Sequence, residues 1–331
     1  MSCKDASENI ALSAGGSYLG SRIALALPTA EGNSDSRPAG TTQGMSIGSG
    51  EDMRFLVVAC SLSIALLSPA LAETAKSPVQ LVPHTAVYDL SLLRAGSSNG
   101  VENARGRIAM EFGGDACEGY TLKYRQVTIL NGSETGSNTL DIQTATFEAG
   151  DGRSMHFKST SFRQGIIKDG EVDGDAKITP QGNLNVALKQ PKRKSFEVQG
   201  ATVFPTEHLK RLIEAGRRGD STLSVRVYDG SNKGDKVYDT LSLIGRRIEP
   251  GTATASLEEV AQGEKLASVA RWPVTISYFE EGKADRTPVY TISFELYENG
   301  ISRALKLDYG DFALKGDLKS LDVQAPSSCQ R

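Results

Sequence analysis

The sequence predicts a mainly β protein, in which an open antiparallel β-barrel or β-spiral meander wraps around one amphipathic helix. Three observations predict it: apolar and polar residues alternate from residue 86 onward, Asn-Gly and Asp-Gly pairs separate the alternating runs, and one segment has helical periodicity. No strand–helix–strand alternation is present, which disfavours a doubly wound parallel sheet. With 37 basic and 40 acidic residues among 331, the chain has no basic footprint for a nucleic-acid backbone.

The first predicted element is a secretory signal peptide at residues 53–72. Met53 and Arg54 precede the apolar run 55–67, and Ala70-Leu71-Ala72 has the small residues of a cleavage site. The run is too short to cross a bilayer of about 30 Å as a helix, so we expect export and no transmembrane span in the mature chain. A buried core helix is the alternative, and the break at Pro69 fits it less well.

The residues before this leader are not expected to add a folded domain. Residues 1–52 are rich in Gly, Ser and Ala without a sustained period, and a signal peptide should begin near its own basic region. We interpret residues 1–52 as a mis-called start or a disordered extension. Residues 73–331 then form a single β-spiral domain.

The cysteines predict a disulfide. Cys3 and Cys60 lie in the part removed by cleavage, so the mature chain keeps Cys117 and Cys329. Two thiols of an exported chain are expected to pair in an oxidising compartment. A redox-active pair is the alternative, but no Cys-x-x-Cys motif is present, and no His/Cys cluster has the spacing of a metal site.

The strands are predicted from runs in which every second residue is apolar, as expected for strands with one solvated face. Pairs suited to positive φ in hairpin turns stand between these runs. Examples of the runs are Tyr88/Leu90/Leu92, Leu223/Val225/Val227, Ile292/Phe294/Leu296 and Leu305/Leu307, and the predicted turns are Asn131-Gly132, Asp151-Gly152, Asp169-Gly170, Asp229-Gly230 and Asn299-Gly300.

One helix interrupts the strands, and it is predicted from Thr206 to Gly216. Thr206 is expected to be the N-cap, and Gly216 suits a C-terminal stop. The apolar stripe must be buried against the sheet, because large apolar side chains left in water would forfeit roughly 5 kcal/mol. The predicted helix start is Thr206, Glu207 and His208, and the predicted core face is Leu209, Leu212 and Ile213.

No constellation of catalytic residues is present in the sequence, so we expect no enzyme. Gly219-Asp220-Ser221 resembles a serine-hydrolase block, but the chain has no Gly-x-Ser-x-Gly elbow and gives no reason to place a base beside Ser221. A hydrolase that uses Ser221 is the least favoured function. His208 is interpreted as a residue of the helix start that hydrogen-bonds a neighbouring loop, rather than as a general base.

No metal or cofactor is expected either. Residues 169–175 resemble the first half of a calcium loop, but Pro180 occupies the twelfth position and no helices flank the segment, so a solvated hairpin is the better interpretation. Phosphate-binding and dinucleotide motifs are missing. The concave face of the sheet could hold an apolar ligand, although core packing also explains the aromatic residues that are candidates to line it: Trp272, Tyr278, Phe279 and Tyr290.

Several of these features occur together in one family. They are the leader ending Ala70-Leu71-Ala72, the Pro83-His84-x-Ala86-x-Tyr88 opening, the Phe204-Pro205-Thr206-Glu207-His208 helix start, the hairpin from Tyr228-Asp229-Gly230 to Lys236-Val237-Tyr238-Asp239, and Cys117 with the near-terminal Cys329. Over residues 84–331 the chain resembles the cell-envelope integrity protein B (EipB) family of alphaproteobacterial periplasmic proteins.

The resemblance implies a spiral β-barrel around a helix, a structural disulfide, a periplasmic location and a role in envelope integrity under stress, without known catalytic residues or cofactor. We therefore expect a non-enzymatic binding or scaffold module. The alternative is a periplasmic carrier of lipid, lipopeptide or lipoprotein, which rests on fold-level analogy. A periplasmic tetratricopeptide-repeat protein is the partner that the resemblance suggests, besides an envelope lipid or lipoprotein.

Overall fold

The computed structural model describes residues 77–95, 101–133, 136–252, 258–281 and 287–325, and the backbone of two short strands nearer the N-terminus. These two strands are β1 (Ala14–Gly15) and β2 (Arg22–Ile23), which pair with each other. The predicted signal peptide and Cys329 lie outside the described residues. All described residues except Ser77 belong to one compact unit, made of residues 1–25 and 78–331.

The main sheet has fourteen strands, and the helices are few. The helical elements are α1 (Pro205–Arg218), a 3₁₀ turn (Glu259–Gln262) and α2 (Glu264–Ala267). The strands are β3 (His84–Arg94), β4 (Val101–Asp115), β5 (Gly119–Gly132), β6 (Gly136–Glu148), β7 (Ser154–Arg163), β8 (Ile167–Ile178), β9 (Leu184–Gln190), β10 (Lys194–Val198), β11 (Thr222–Val227), β12 (Tyr238–Ile244), β13 (Arg271–Glu280), β14 (Tyr290–Tyr297), β15 (Ser302–Asp308) and β16 (Ala313–Val323).

The sheet is an antiparallel meander that does not close. Consecutive strands pair from β3 to β10 and from β11 to β16, and β16 pairs with β3, so that β10 and β11 are the two edges. In the chain, α1 connects these two edges. The predicted fold class, an open antiparallel sheet around one amphipathic helix, is confirmed.

The strands alternate between an inner and an outer face, as the period-two pattern predicts. In β5, Tyr120, Leu122 and Tyr124 are buried, whereas Lys123 and Arg125 are exposed. Two predicted turns are wrong. Asn131-Gly132 forms the end of β5, where Gly132 pairs with Gly136 of β6, and Asp169-Gly170 lies within β8, where Gly170 pairs with Ser161 of β7. The β7–β8 turn comes earlier, at Gln164-Gly165, where both residues have positive φ. A glycine beside an aspartate is therefore compatible with a strand when another residue supplies the turn.

Buried apolar residues form two clusters. The helix-centred core joins α1 to inner-face residues of β3–β5 and β12–β16. The loop-sealed core joins the inner faces of β7–β9 to residues that flank α1 and β11. Its members are Met155, Phe157, Val172, Ala176, Leu184, Val186, Leu188, Phe204, Tyr228 and Val237.

Candidate functional site

The first turn of α1 is held by a carboxylate from the sheet. Phe204 occupies the N-cap position without a side-chain cap, and Pro205 is the first helical residue. Thr206 is therefore not the N-cap, which corrects the prediction. Instead, the backbone N–H of Thr206 donates to both carboxylate oxygens of Glu148 at the end of β6, at 3.2 and 3.0 Å. A carboxylate placed here satisfies a free N–H and interacts favourably with the helix dipole.

The second predicted helix boundary is also wrong. α1 continues to Arg218 and ends at Gly219, whose φ of 84° is left-handed. Gly216 is needed for another reason: a Cβ at this position would lie 2.9 Å from the Trp272 ring. The buried indole thus packs directly on the helix backbone, and Gly216 is a contact residue rather than a stop.

The predicted core face of α1 points into the helix-centred core. Leu212 and Ile213 are buried, and Leu209 is partly buried against the same cluster. His208 is buried next to this face, while Glu207 pairs with Arg211 at 2.8 Å on the outer side of the helix. The first turn therefore presents one histidine to the interior.

A polar loop fills much of the remaining interior. The segment 228–237 between β11 and β12, here called the plug loop, was predicted as a hairpin turn. Asp229 and Ser231 are each only 4% exposed, and the Ser231 N–H donates to the Asp229 carboxylate at 2.8 Å. The Tyr228 hydroxyl donates to the Gly234 carbonyl at 2.8 Å. The loop satisfies its own polar groups, which allows it to be buried.

A cavity of about 130 Å³ lies between α1, the plug loop and the sheet. Its walls are mostly aliphatic and aromatic, and its polar groups come from four residues. The apolar lining is Pro205, Leu209, Leu212, Val227, Ile276, Ile292, Phe294 and Leu305, and the polar lining is His208, Asp229, Tyr278 and Ser302. We take this cavity as the candidate site.

Burial changes the pKa of two residues that line the cavity, His208 and Asp229. Burial, and then the charge of Arg211, lowers the pKa of His208 to about 4. Burial raises the pKa of Asp229 to about 6, against the opposing effect of hydrogen bonds from Ser231. At pH 7 the imidazole is therefore neutral and most of the carboxyl is ionised. The His208 Nε2 atom is buried without a hydrogen-bond partner.

The four predicted aromatic residues have different positions. Tyr278 lines the cavity, and its ring packs against Tyr290 at 5.9 Å between centroids. Trp272 packs on α1 away from the cavity. Phe279 follows Tyr278 in β13 and occupies the opposite face of the strand, because successive residues of a strand alternate, so it does not line the cavity.

Ser221 and the histidines are not brought together. Ser221 is exposed just after the C-terminal end of α1, whereas His208 lies in the first turn of this helix, whose rise from His208 to Arg218 is about 15 Å. His84 lies in β3, and His156 pairs with Asp175 on the outer face at 2.9 Å. The predicted alternative of a hydrolase thus has no base near Ser221 among these histidines.

The structure also bears on the predicted disulfide, the calcium-like segment and the expectation of no metal site or membrane span. Cys117 is disulfide-bonded in the turn between β4 and β5, and its expected partner, Cys329, lies outside the described residues. The calcium-like segment 169–175 is part of β8. Within the described ranges, no group of His, Cys, Asp and Glu has the arrangement of a metal site. In the same part of the chain, no helix is long and apolar enough to span a membrane.

Sequence reasoning missed the two acidic residues that matter most here. Glu148 ends an ordinary alternating strand, and Asp229 has the composition of a solvent-exposed turn. The sequence marked the region through the residues of the helix and through Tyr278, whereas it indicated Asp229 only as part of a turn. The missed signal is the spacing of Asp229 from Ser231, which is typical of a turn that bonds its own backbone.

Two larger depressions lie on the sheet elsewhere. One of about 510 Å³ crosses β4–β7 and is lined by Glu111, Lys123, Arg125 and Lys158 among others. The other, of about 720 Å³, lies at the β8–β10 end and includes Asp175 and Lys177. Both have lysine residues in their walls, whereas the lining of the interior cavity contains Asp229 and no lysine or arginine.

The chain is similar to a family model, to a curated protein and to a solved structure. A family model described as EipB-like matches residues 75–325. Cell envelope integrity protein EipB of Brucella abortus (strain 2308) is 39% identical over 277 residues, which cover 82% of this chain and 96% of that protein. A crystal structure of a β-barrel-like protein from Brucella abortus, titled as a domain of unknown function, gives a TM-score of 0.68 at 38% identity, covering 75% of this chain and 100% of the other. The family match includes α1, the plug loop and the cavity.

Proposed function

Since the chain belongs to the EipB-like family, we propose that it supports the integrity of the cell envelope as a non-enzymatic binding or scaffold module in the periplasm. The first support is the name of the Brucella relative, which is that of a cell envelope integrity protein. The second is the placement of His208 and Ser221 at opposite ends of α1, as described above, which does not make them a nucleophile and its base. The third is the filled interior.

The filled interior is the observation that carries the proposal. α1 occupies one core and the plug loop seals the other, leaving a cavity of about 130 Å³. Sites for drug-sized ligands usually enclose about 300–1,000 Å³. An acyl chain would need more room than the interior offers. An interior occupied in this way favours recognition at the surface of the sheet or of a small ligand.

A carrier of lipid, lipopeptide or lipoprotein is the alternative, and it requires α1 or the plug loop to move out. Native mass spectrometry of the mature protein, after incubation with envelope lipid extract, separates the two. A scaffold is expected to give the mass of the protein alone. A lipid adduct that persists under gentle activation would contradict the scaffold and favour the carrier.

The envelope role is tested by complementation of a deletion strain challenged with detergent. The full chain is expected to restore growth, and Ser221→Ala is expected to restore it equally well. Loss of rescue by a folded Ser221→Ala protein would revive the hydrolase. Failure of the full chain itself to protect the strain would contradict the envelope role.

The periplasmic location rests on the leader at residues 53–72. We expect cell fractionation to find the protein with periplasmic markers, and N-terminal sequencing to start at Glu73. A chain without residues 53–72 is the matched control and should stay in the cytoplasm. Recovery of the intact leader on a cytoplasmic protein would contradict export.

The partner proposed on the resemblance is a periplasmic tetratricopeptide-repeat protein. Chemical crosslinking in periplasmic extract, followed by identification of the crosslinked peptides, tests it directly. Crosslinks to a repeat protein of this class at defined residues of the sheet support the proposal. Crosslinks confined to other classes of protein contradict it.

A further inference from the structure

The cavity between α1 and the plug loop contains one buried anion and no cation. The Asp229 carboxyl is 4% exposed, and none of the twelve residues that line the cavity is a lysine or arginine. Within the described part of the chain, Asp229 forms no salt bridge. Its hydrogen bonds come from Ser231 and from its own backbone. A buried carboxylate usually has a charged partner, because its removal from water is costly.

A second buried atom points to the same kind of ligand. His208 is 4% exposed, lines the cavity and leaves Nε2 without a hydrogen-bond partner. A neutral imidazole has one ring nitrogen that accepts a hydrogen bond. Ser302 adds a hydroxyl to the same cavity. These groups offer acceptors to a ligand that carries several N–H donors.

The rest of the cavity sets the size and polarity of the ligand. Leu209, Leu212, Ile276 and Ile292 form aliphatic walls, and Tyr278 adds an aromatic ring. Aromatic faces attract cations, and aliphatic walls bury a hydrocarbon stem. A volume of about 130 Å³ is close to that of an engineered cavity of about 150 Å³ that binds benzene. The ligand should therefore have about five or six heavy atoms.

We propose that this cavity binds a small monovalent alkylammonium ion, with Asp229 as its counter-ion, His208 Nε2 as a second acceptor and the aliphatic walls around its stem. An ammonium group has three donors and no acceptor, which matches the polar groups present. This site is independent of the proposed envelope role. Complementation could fail while ammonium binding persists, and the reverse also holds.

The test compares n-butylammonium chloride with 1-butanol, a neutral molecule of the same heavy-atom count, by isothermal titration calorimetry on the mature chain at pH 7.5. The ammonium is expected to bind saturably and at least tenfold more tightly than the alcohol. Equal affinity would overturn the proposal, because the cavity would then be only an apolar site. Absence of saturable binding by n-butylammonium would overturn it as well, and would leave ordered water as the occupant.

Variants locate the site. Asp229→Asn keeps an oxygen that can accept the Ser231 N–H, so the plug loop should retain its turn. We expect n-butylammonium to bind at least tenfold more weakly to this variant. Asp220→Asn removes an exposed carboxylate that pairs with Arg218, and it is the matched control for net charge. Unchanged binding in Asp229→Asn, or an equal loss in both variants, would overturn the assignment. The wild-type comparison of ammonium and alcohol remains decisive if Asp229→Asn does not fold.

Discussion

The two cores of this protein are closed by different means. The helix-centred core is closed by a regular element, since Leu212 and Ile213 of α1 pack on the sheet at helical spacing. The loop-sealed core is closed by irregular chain, since Phe204 precedes α1, and Tyr228 and Val237 are the two ends of the plug loop. A periodic apolar stripe can be recognised in a sequence, whereas a buried polar loop has the composition of an exposed one. For this reason the helix-centred core could be predicted from the sequence, whereas the loop-sealed core could not.

The largest expected effect concerns the disulfide of Cys117, which lies in the turn between β4 and β5. We propose that its partner is Cys329, in which case the disulfide closes a long loop, and Cys117→Ser is expected to lower the free energy of unfolding by about 4 kcal/mol. Urea unfolding under oxidising conditions measures this. The wild type in reductant is the matched control and should resemble the variant. Coincident transitions for oxidised wild type and variant would contradict a stabilising disulfide.

The helix-centred core is next in magnitude. Ile213 is completely buried, and Ile213→Ala is expected to cost about 3 kcal/mol through lost burial and the cavity left behind. Leu209→Ala on the same face is the control, and because Leu209 is only partly buried we expect about 1 kcal/mol. Chemical unfolding of the two variants measures both costs. Equal costs would show that α1 does not pack through the face assigned to it.

The loop-sealed core depends on glycines where the plug loop touches the sheet. Gly230 has a φ of 70°, and a Cβ there would lie 2.5 Å from the Phe157 ring. Gly230→Ala is therefore expected to cost about 2 to 3 kcal/mol, from both backbone strain and overpacking. Gly165 has a φ of 75° with open space around it, so Gly165→Ala isolates the backbone cost of about 1 kcal/mol. If Gly230→Ala lowered the free energy of unfolding no more than Gly165→Ala does, the plug loop would be able to move away from Phe157 at no cost.

The sequence predicted the parts of the structure that are governed by periodicity. The antiparallel meander follows from alternating runs, and the burial of α1 follows from its stripe. The family was also identified from short motifs, and that prediction is confirmed. The boundaries of α1 were missed because they depend on tertiary contacts: Glu148 replaces a local cap, and Gly216 is required by Trp272. The burial of Asp229 was missed because it comes from tertiary contacts between the plug loop and the sheet, such as that of Gly230 with Phe157, which the loop sequence does not show.

The Glu148 carboxyl, at the end of β6, supports the first turn of α1, and its protonation links the stability of the protein to pH. Burial raises the pKa of Glu148 from 4.5 to about 7, against the opposing hydrogen bonds from Thr206. The folded state therefore holds this proton more tightly than the unfolded chain. The associated stability is fully present below pH 4.5 and is lost as the pH rises through 7.

Glu148→Gln removes this titration while keeping an oxygen that can accept the Thr206 N–H, so it gives the smallest expected effect. Relative to the variant, the wild type should lose about 2 kcal/mol of unfolding free energy between pH 5 and pH 8. Only this difference is informative, because the lowered pKa of His208 and the raised pKa of Asp229 contribute equally to both proteins. Urea unfolding at the two pH values measures it. A constant difference would mean that the carboxylate at the helix start is ionised throughout, and that α1 is held by a permanent charge.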